Sequence, residues 1–279
     1  MNAAIRVAGF AAGLAVILGV GWAAGAAVGP VAETPEEHDM AGEQMEHGHD
    51  AEPVSLPGGL AVAQDGYRLV LADDVLVAGT RQLSFTIDGP DGRPVTAYDV
   101  EHEKLLHLIV VRRDFTGFQH VHPTLDERTG RWTTDVDLTP GSWRVFADFV
   151  PMGGTDLTLG SDLLVPGGVA APSRAPVNRT DTVDGYTVTV DGDLEAGVHS
   201  MLTMTVSRDG RPLTRLEPYL GAQGHLVALR EGDLAYLHVH PGDGLEFGAE
   251  VPSPGRYHLY LDFKHAGTVR TAEFVLEAS

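Results

Sequence analysis

The 279-residue chain contains no cysteine, and this absence excludes disulfide bonds, thiolate metal ligands and a lipoprotein anchor acylated on cysteine. Basic residues are also scarce, because 19 Lys and Arg stand against 39 Asp and Glu, for a formal net charge of −20. Such a charge repels phosphate backbones and argues against nucleic acid as a partner. The sequence also lacks a GxSxG elbow and a phosphate-binding loop. Any metal ion must therefore be held by His, Met, Asp or Glu.

What the sequence does contain is a histidine trio that occurs twice. The pattern H-x12-H-x-H recurs 118 residues later, and both copies end in His-Val-His-Pro. The first copy is His107, His120 and His122, and the second is His225, His238 and His240. The same shift carries Asp-Gly-Arg-Pro at 91–94 onto 209–212. Repetition at one spacing predicts a tandem duplication, with about two domains in a chain of this length.

The N-terminus carries Arg6 and then 26 residues without charge, rich in Ala, Gly, Leu and Val. This pattern indicates export and predicts a signal anchor or a cleaved signal peptide over residues 1–31. With Arg6 on the cytoplasmic side, the rest of the chain lies outside the cytoplasm. We therefore expect a single-pass protein of the cell membrane with extracytoplasmic domains, the alternative being a secreted protein.

Residues 32–59 form a predicted disordered linker, since 32–55 hold eight Asp or Glu and no Lys or Arg. The linker also concentrates imidazole and thioether side chains, which together suit copper. These are His38, Met40, Met45, His47 and His49. They can form a flexible arm that collects metal ions, while the alternative is a plain solvated acidic linker.

Downstream, short alternating or β-branched runs separated by Gly- and Pro-containing turns predict strands and no helix. The predicted strands are 67–71, 82–87, 105–111, 132–138 and 143–149 in the first repeat, and 186–190, 202–206, 225–229, 234–239, 257–263 and 269–276 in the second. The first repeat is expected at 60–168, a linker at 169–183 and the second repeat at 184–279. Repeats of about 100 residues with this pattern predict two tandem immunoglobulin-like β-sandwich domains of about seven strands each. The predicted fold class is therefore all-β, after the N-terminal transmembrane or signal helix.

The two trios predict one histidine-based metal site in each repeat. In a strand, residues i and i+2 share a face, so the paired histidines of His-Val-His can converge on one ion. The earlier histidine of each trio can join them across a loop. Asp148 and Asp262, in a later strand of each repeat, and His258 are further candidate ligands or hydrogen-bond partners.

The order of elements resembles a known group of domains. The segment 82–87, Gly92-Arg93-Pro94-Val95, the strand that holds His107 and the segment 140–145 are similar to the YtkA-like and FixH-like extracytoplasmic domains. This resemblance implies a small immunoglobulin-like sandwich that is membrane-associated and connected with metals. It does not include His-Val-His-Pro as a site, so the ligand assignment depends on spacing alone.

Three functional classes stay open at this point. The first is an extracytoplasmic protein that buffers or hands over copper, with zinc as the alternative metal and a metal transporter or acceptor protein as its partner. The second is a structural or interaction module without metal, in which the histidines are inherited packing residues. The third is a metalloenzyme similar to copper–zinc superoxide dismutases or cupins, but both motifs are incomplete in this sequence. We therefore expect no enzymatic activity.

Overall fold

The computed structural model describes residues 57–169, 174–237 and 239–279. All regular elements in these ranges are β-strands, and none of these residues forms a helix long and apolar enough to cross a membrane. The predicted N-terminal segment, the histidine and methionine arm and His238 lie outside the described residues. The described part of the chain is all-β and forms two tandem immunoglobulin-like β-sandwiches.

The first sandwich is built from short antiparallel strands in two sheets. The strands are β1 (Ala63–Gln64), β2 (Tyr67–Leu71), β3 (Gly79–Asp88), β4 (Tyr98–Asp99), β5 (His107–Arg112), β6 (Gln119–Val121), β7 (Thr124–Asp126), β8 (Arg131–Leu138), β9 (Gly141–Pro151) and β10 (Leu157–Val165). One sheet has the order β1-β2-β3-β8-β7. The other has the order β10-β9-β5-β6, with β4 paired to β9.

The second sandwich repeats this architecture. Its strands are β11 (Thr180–Val183), β12 (Tyr186–Asp191), β13 (His199–Arg208), β14 (Arg211–Pro212), β15 (Gly224–Arg230), β16 (Tyr236–Leu237), β17 (Val239–Pro241), β18 (Glu246–Glu250), β19 (Gly255–His265) and β20 (Thr268–Ala278). One sheet has the order β11-β12-β13-β18-β17, with β14 paired to β13. The other has the order β16-β15-β19-β20.

The inward-facing residues of the two sheets form the core of each sandwich. In β3, Leu83, Phe85 and Ile87 are buried, while the residues between them are partly exposed. This period of two is expected for a sheet with one packed and one solvated face. Trp132 and Trp143, both 1% exposed, fill the centre of the first core.

β5 differs because it is buried on both faces. Its residues Leu108 and Val110 pack into the first core, while Ile109 and Val111 point toward the second repeat. There they join an apolar cluster between the sandwiches, formed by the β5–β9 sheet and the β15–β19 sheet. The buried members of this cluster are Ile109, Val111, Phe146, Val227, Leu229, Leu234, Tyr236 and Tyr260. The near-continuous apolar sequence of β5 is thus the result of burial on two sides.

Contacts across this interface are reciprocal. Phe118 stacks on Tyr260 with ring centroids 3.9 Å apart. Tyr236, which is the equivalent of Phe118 in the second repeat, contacts Phe146 at 5.7 Å. Because each repeat presents the equivalent patch to the other, an approximate twofold rotation relates the sandwiches, as in a symmetric dimer. Both repeats belong to one compact unit.

Three of the differences between the observed strands and those predicted from sequence have a clear physical cause. The apolar pattern does not predict β10, because Gly160-Ser161-Asp162 interrupts it, although the strand pairs with β9 along its whole length. β11 falls inside the stretch predicted as a linker, where its Thr and Asp residues give no apolar signal. The single strand predicted at 234–239 is instead two strands, since β16 pairs with β15 and β17 pairs with β18 in the opposite sheet.

Candidate metal centre

The alternation that points Ile109 toward the second repeat does the same for His107, the first residue of β5. By the same rule His225 of β15 and Asp262 of β19, which are partners in register, lie on the face that the first repeat covers. β6 adds His120, which pairs with Ile109. Histidines from both repeats therefore meet at one end of the apolar interface.

Four imidazoles form this cluster, namely His107, His120, His122 and His225. Nδ1 of His107 lies 3.0 Å from Nε2 of His120 and 3.3 Å from Nε2 of His122. The centroid of the His225 ring lies 5.3 Å from that of His107 and 4.8 Å from that of His120. In a tetrahedral site with metal–nitrogen bonds of about 2.0–2.1 Å, the ligating nitrogens are roughly 3.3 Å apart. Both separations from Nδ1 of His107 are thus close to the spacing of neighbouring ligands. One ligand nitrogen each of His107, His120 and His225 lies within 4.8 Å of the other two.

The outer nitrogens of His107 and His120 are hydrogen-bonded to oxygen acceptors. Nε2–H of His107 donates to the carbonyl oxygen of Glu101 at 3.2 Å, and Nδ1–H of His120 donates to Oδ2 of Asp262 at 2.7 Å. The other oxygen of that carboxylate accepts from the hydroxyl of Thr271 at 2.6 Å. Metal-ligating histidines usually donate their second N–H in this way. Since the bond between His120 and Asp262 crosses the interface, each repeat supplies part of the arrangement.

These outer bonds determine which nitrogen of each ring carries a proton. Carbonyl and carboxylate oxygens only accept, so neutral His107 has its proton on Nε2 and neutral His120 has its proton on Nδ1. The inner nitrogens, 3.0 Å apart, then both present lone pairs. Two lone pairs at this separation repel each other unless a cation, either a proton or a metal ion, lies between them. With these tautomers, a proton or a metal ion between the inner nitrogens would stabilise the cluster.

Burial disfavours the proton as that cation. Desolvation, and then the charge of the neighbouring His120, lowers the pKa of His107 from 6.5 to about 4 and the pKa of His122 to about 3. Burial and the other histidines also hold the pKa of His225 well below its ordinary value. Neutral imidazole is the form that ligates metals. Three of the four rings therefore remain able to ligate in mildly acidic solution.

The structure does not assemble the second trio around His225 in the expected way. His225 joins the first-repeat histidines, His240 is exposed on β17 opposite Gly248, and His238 lies outside the described residues. The reason for the difference is the point at which the chain changes sheets. β17 begins at the position equivalent to Val121, so His240 pairs with the opposite sheet, whereas its equivalent, His122, precedes the change.

Two other predicted residues have different surroundings. Asp148 is the register partner of His107, but its carboxylate accepts a hydrogen bond from Thr158 at 2.8 Å. Burial, and then Asp156, raises the pKa of Asp148 to about 7. His258 stacks on Phe115 at 3.7 Å between centroids.

The position of His258 along its strand excludes it from the cluster. It lies four residues before Asp262 in β19, a separation of roughly 13 Å at the usual rise of a strand. Its Nε2 is 3.5 Å from Oε2 of Glu231, a residue of the second repeat. We predicted that His258 joins the ligands of its repeat. In the structure it instead contacts Phe115 and Glu231 and is not part of the cluster.

Sequence reasoning missed one residue beside the cluster, His102. It is exposed, and its ring centroid lies 6.0 Å from that of His107 and 5.6 Å from that of His225. Its only signal in the sequence is the spacing H-x4-H with His107, which the second repeat lacks because Leu220 occupies the equivalent position.

The methionines of the two sandwiches do not supply a thioether ligand to the cluster. Met152 is 66% exposed in the loop after β9, Met201 is 48% exposed, and Met204 packs into the second core. Of the methionines predicted to favour copper, Met40 and Met45 lie outside the described residues. The cluster itself is therefore an all-imidazole donor set, which suits copper, zinc and nickel alike.

Comparison with known families matches residues 61–163 and 181–279 to a domain of unknown function (DUF8832). The chain therefore belongs to the DUF8832 family. Each sandwich of the chain is thus one DUF8832 domain. No curated protein matches the sequence. The resemblance to the YtkA-like and FixH-like domains stays a prediction.

Several solved structures are similar to the pair of DUF8832 domains at a low level. The extracellular domains 3–5 of Drosophila OTK are 10% identical, with 80% of this chain and 68% of that chain covered and a TM-score of 0.19. The adhesin InvE of Yersinia pseudotuberculosis is 12% identical, with coverages of 76% and 58% and a TM-score of 0.23. The ectodomain of mouse nectin-like molecule 4 is 12% identical, with coverages of 80% and 64% and a TM-score of 0.22. The chain spans less than two thirds of the last two, and likeness at this level carries no functional argument.

Proposed function

We propose that this DUF8832 protein is a non-enzymatic, extracytoplasmic metal-binding protein whose two sandwiches share one transition-metal site. The observation that carries the proposal is the 3.0 Å approach of Nδ1 of His107 to Nε2 of His120, with the outer nitrogen of each ring held by an acceptor. His122 supplies a third nitrogen, and His225 of the second repeat is available as a fourth. A neutral set of this kind holds a divalent ion without a thiolate.

Copper is the metal we propose first, with zinc as the alternative. Among divalent first-row ions, copper(II) binds most tightly to a given set of nitrogen ligands. The acidic arm at 32–59, with its histidines and methionines, would concentrate the ion, and the formal charge of −20 would attract it. From the cluster the ion would pass to a transporter or acceptor protein at the membrane to which residues 1–31 attach the chain.

A shared site has a thermodynamic consequence. Because ligands come from both repeats, the bound ion would hold the two sandwiches in their observed contact. Binding to the native state alone adds RT ln(1 + [L]/Kd), about 2.7 kcal/mol when the free metal is about 100 times Kd. Metal binding should thus raise the stability of the interface as well as that of each fold.

The test is metal quantification on the full chain, with His38, His47 and His49 changed to Ala so that the arm does not contribute. After equilibration with copper(II) or zinc and dialysis, this parent should hold one ion per chain. His120→Ala and His122→Gln should each remove it, while His258→Ala should retain it. His258 is a matched control because it is a buried histidine at the same interface but not in the cluster.

A structural module without metal is the second candidate, and the bond from His120 to Asp262 across the interface favours it. If the cation between the inner nitrogens is a proton, the four rings act as a polar junction between the repeats. In that case the parent takes up no metal, and His120→Ala lowers the melting temperature. Metal bound equally by the parent, by His120→Ala and by His122→Gln would reject the proposed site.

A further inference from the structure

A fifth histidine lies above the cluster and has no part in the proposed ligand set. His102 is exposed, whereas the four cluster histidines are buried or half-buried. Its ring stands edge-on to two of them, at interplanar angles of 72° to His107 and 74° to His225. His102 therefore lies between solvent and the buried nitrogens.

The turn that holds His102 has an unfavourable backbone conformation. His102 and Glu103 have φ angles of 44° and 65°, and paired backbone hydrogen bonds of 2.9 Å between Glu101 and Lys104 close the turn. A turn with both central residues in the left-handed region strongly favours Asn-Gly. In the first repeat two residues with longer side chains occupy these positions, and such strain persists where the side chains have a use.

The second repeat contains an equivalent turn that has no histidine. Its equivalent residues, Leu220 and Gly221, also have positive φ, at 56° and 78°. In that turn the second position is a glycine, which adopts a positive φ without strain. Leu220, at the first position, is buried at 3% exposure. The histidine is thus not a requirement of the turn. The two turns come together beside the cluster, and His102 and Leu220 line a narrow cavity next to His225.

We propose that His102 is the capture ligand of the site, which takes a divalent transition-metal ion from solvent and passes it to the buried histidines. This inference rests on the proposed function. Ring separations of 5.6 and 6.0 Å let an ion held by His102 gain His225 or His107 before it leaves the first ring. The ion then exchanges its water ligands one at a time. The exposed carboxylates of Glu101 and Glu103 attract cations to the turn, and Lys104 offsets part of that attraction.

The experiment measures loading rate and affinity separately. Cobalt(II) is the probe, because its visible absorption reports ligation by nitrogen, and the protein is the full chain without the three arm histidines. Stopped-flow mixing gives the rate of uptake, a chelator gives the rate of release, and titration gives Kd. The variants are His102→Asn, which suits the left-handed turn, and His102→Ala. His199→Asn, at an exposed histidine of β13, is the control.

We expect both His102 variants to slow uptake and release by the same factor, roughly tenfold or more, with Kd and the final spectrum unchanged. His199→Asn should behave as the parent does. Uptake at the parental rate in both variants would overturn the capture role and leave the site intact. A weaker Kd with unchanged uptake would also overturn it, because His102 would then be a resident ligand. A parent that binds no cobalt would reject the proposed function and this inference together.

Discussion

Replacing Asp262 by Asn tests the cluster with almost no change of shape. The Asp262 carboxylate accepts from Nδ1–H of His120 at 2.7 Å and from the hydroxyl of Thr271 at 2.6 Å. An Asn side chain keeps an oxygen for Thr271 but turns its NH2 group toward His120. His120 must then carry its proton on Nε2 in order to accept from that amide. This proton points at Nδ1 of His107, where we propose that the metal binds.

The two states of the protein should respond differently to this change. Without metal, the relocated proton forms an ordinary hydrogen bond from Nε2 of His120 to Nδ1 of His107, so the net loss of stability should be about 1 kcal/mol or less. With metal, the site loses both a ligand lone pair and the carboxylate behind it. Replacing such an outer partner typically lowers metal affinity about 10–100-fold, which is about 1.4–2.8 kcal/mol.

Competition with a chromophoric chelator at pH 7 measures the affinity, and urea unfolding without metal measures the stability. The matched control is Asp148→Asn, because Asp148 occupies the equivalent position in the first repeat and accepts a hydrogen bond from Thr158. The control should bind metal as the parent does. Equal affinity of the Asp262→Asn variant and the parent would refute the assigned tautomers, and so would equal losses in both variants.

Three further predictions follow from pKa values and packing. Because the pKa of His107 is about 4 in the folded state and 6.5 when unfolded, the unfolded state binds the proton first. The unfolding free energy without metal should therefore fall as pH drops from about 6.5 to 4, by up to about 3 kcal/mol from this residue, in urea titrations at several pH values. Phe118→Ala removes the stacking on Tyr260 and should lower the unfolding free energy by about 2 kcal/mol, while a change below about 0.5 kcal/mol would contradict the role of this contact. The fragment 178–279 should fold but self-associate, because the apolar β15–β19 face is no longer covered by the first repeat. A fragment that is strictly monomeric in sedimentation would contradict this prediction.

Local pattern predicts much of the fold, and the exceptions have physical causes. The strand predicted at 67–71 coincides with β2, and the strand at 132–138 differs from β8 by one residue. Both have the alternation that one-sided burial produces. β10 escapes prediction because Gly160-Ser161-Asp162 interrupts its apolar residues, and β11 because three of its four residues are polar. Pairing with β9 and β12 determines the course of these two strands.

The candidate site is predictable only in part, because spacing describes neighbours within a repeat and not between repeats. The trio pattern brings together His107, His120 and His122, which occupy adjacent strands or their ends. It does not reveal that His225 joins them. A signal for this was present in the near-continuous apolar run of β5, since burial on both faces requires a second layer over its outer side. Alternation then assigns His107 to the covered face.

The approximate twofold relation also explains why two equal trios need not make two equal sites. His107 and His225 lie next to each other across the interface, with ring centroids 5.3 Å apart. Two divalent ions held about 5 Å apart repel each other by on the order of 10 kcal/mol at an effective dielectric constant of 20. One ion near the junction therefore disfavours its symmetric counterpart. In a dimer of identical single repeats both trios would have to remain alike, whereas in a fused pair the second can diverge. The exposed His240 on β17 and the buried Leu220 at the position equivalent to His102 are the changes that such freedom permits.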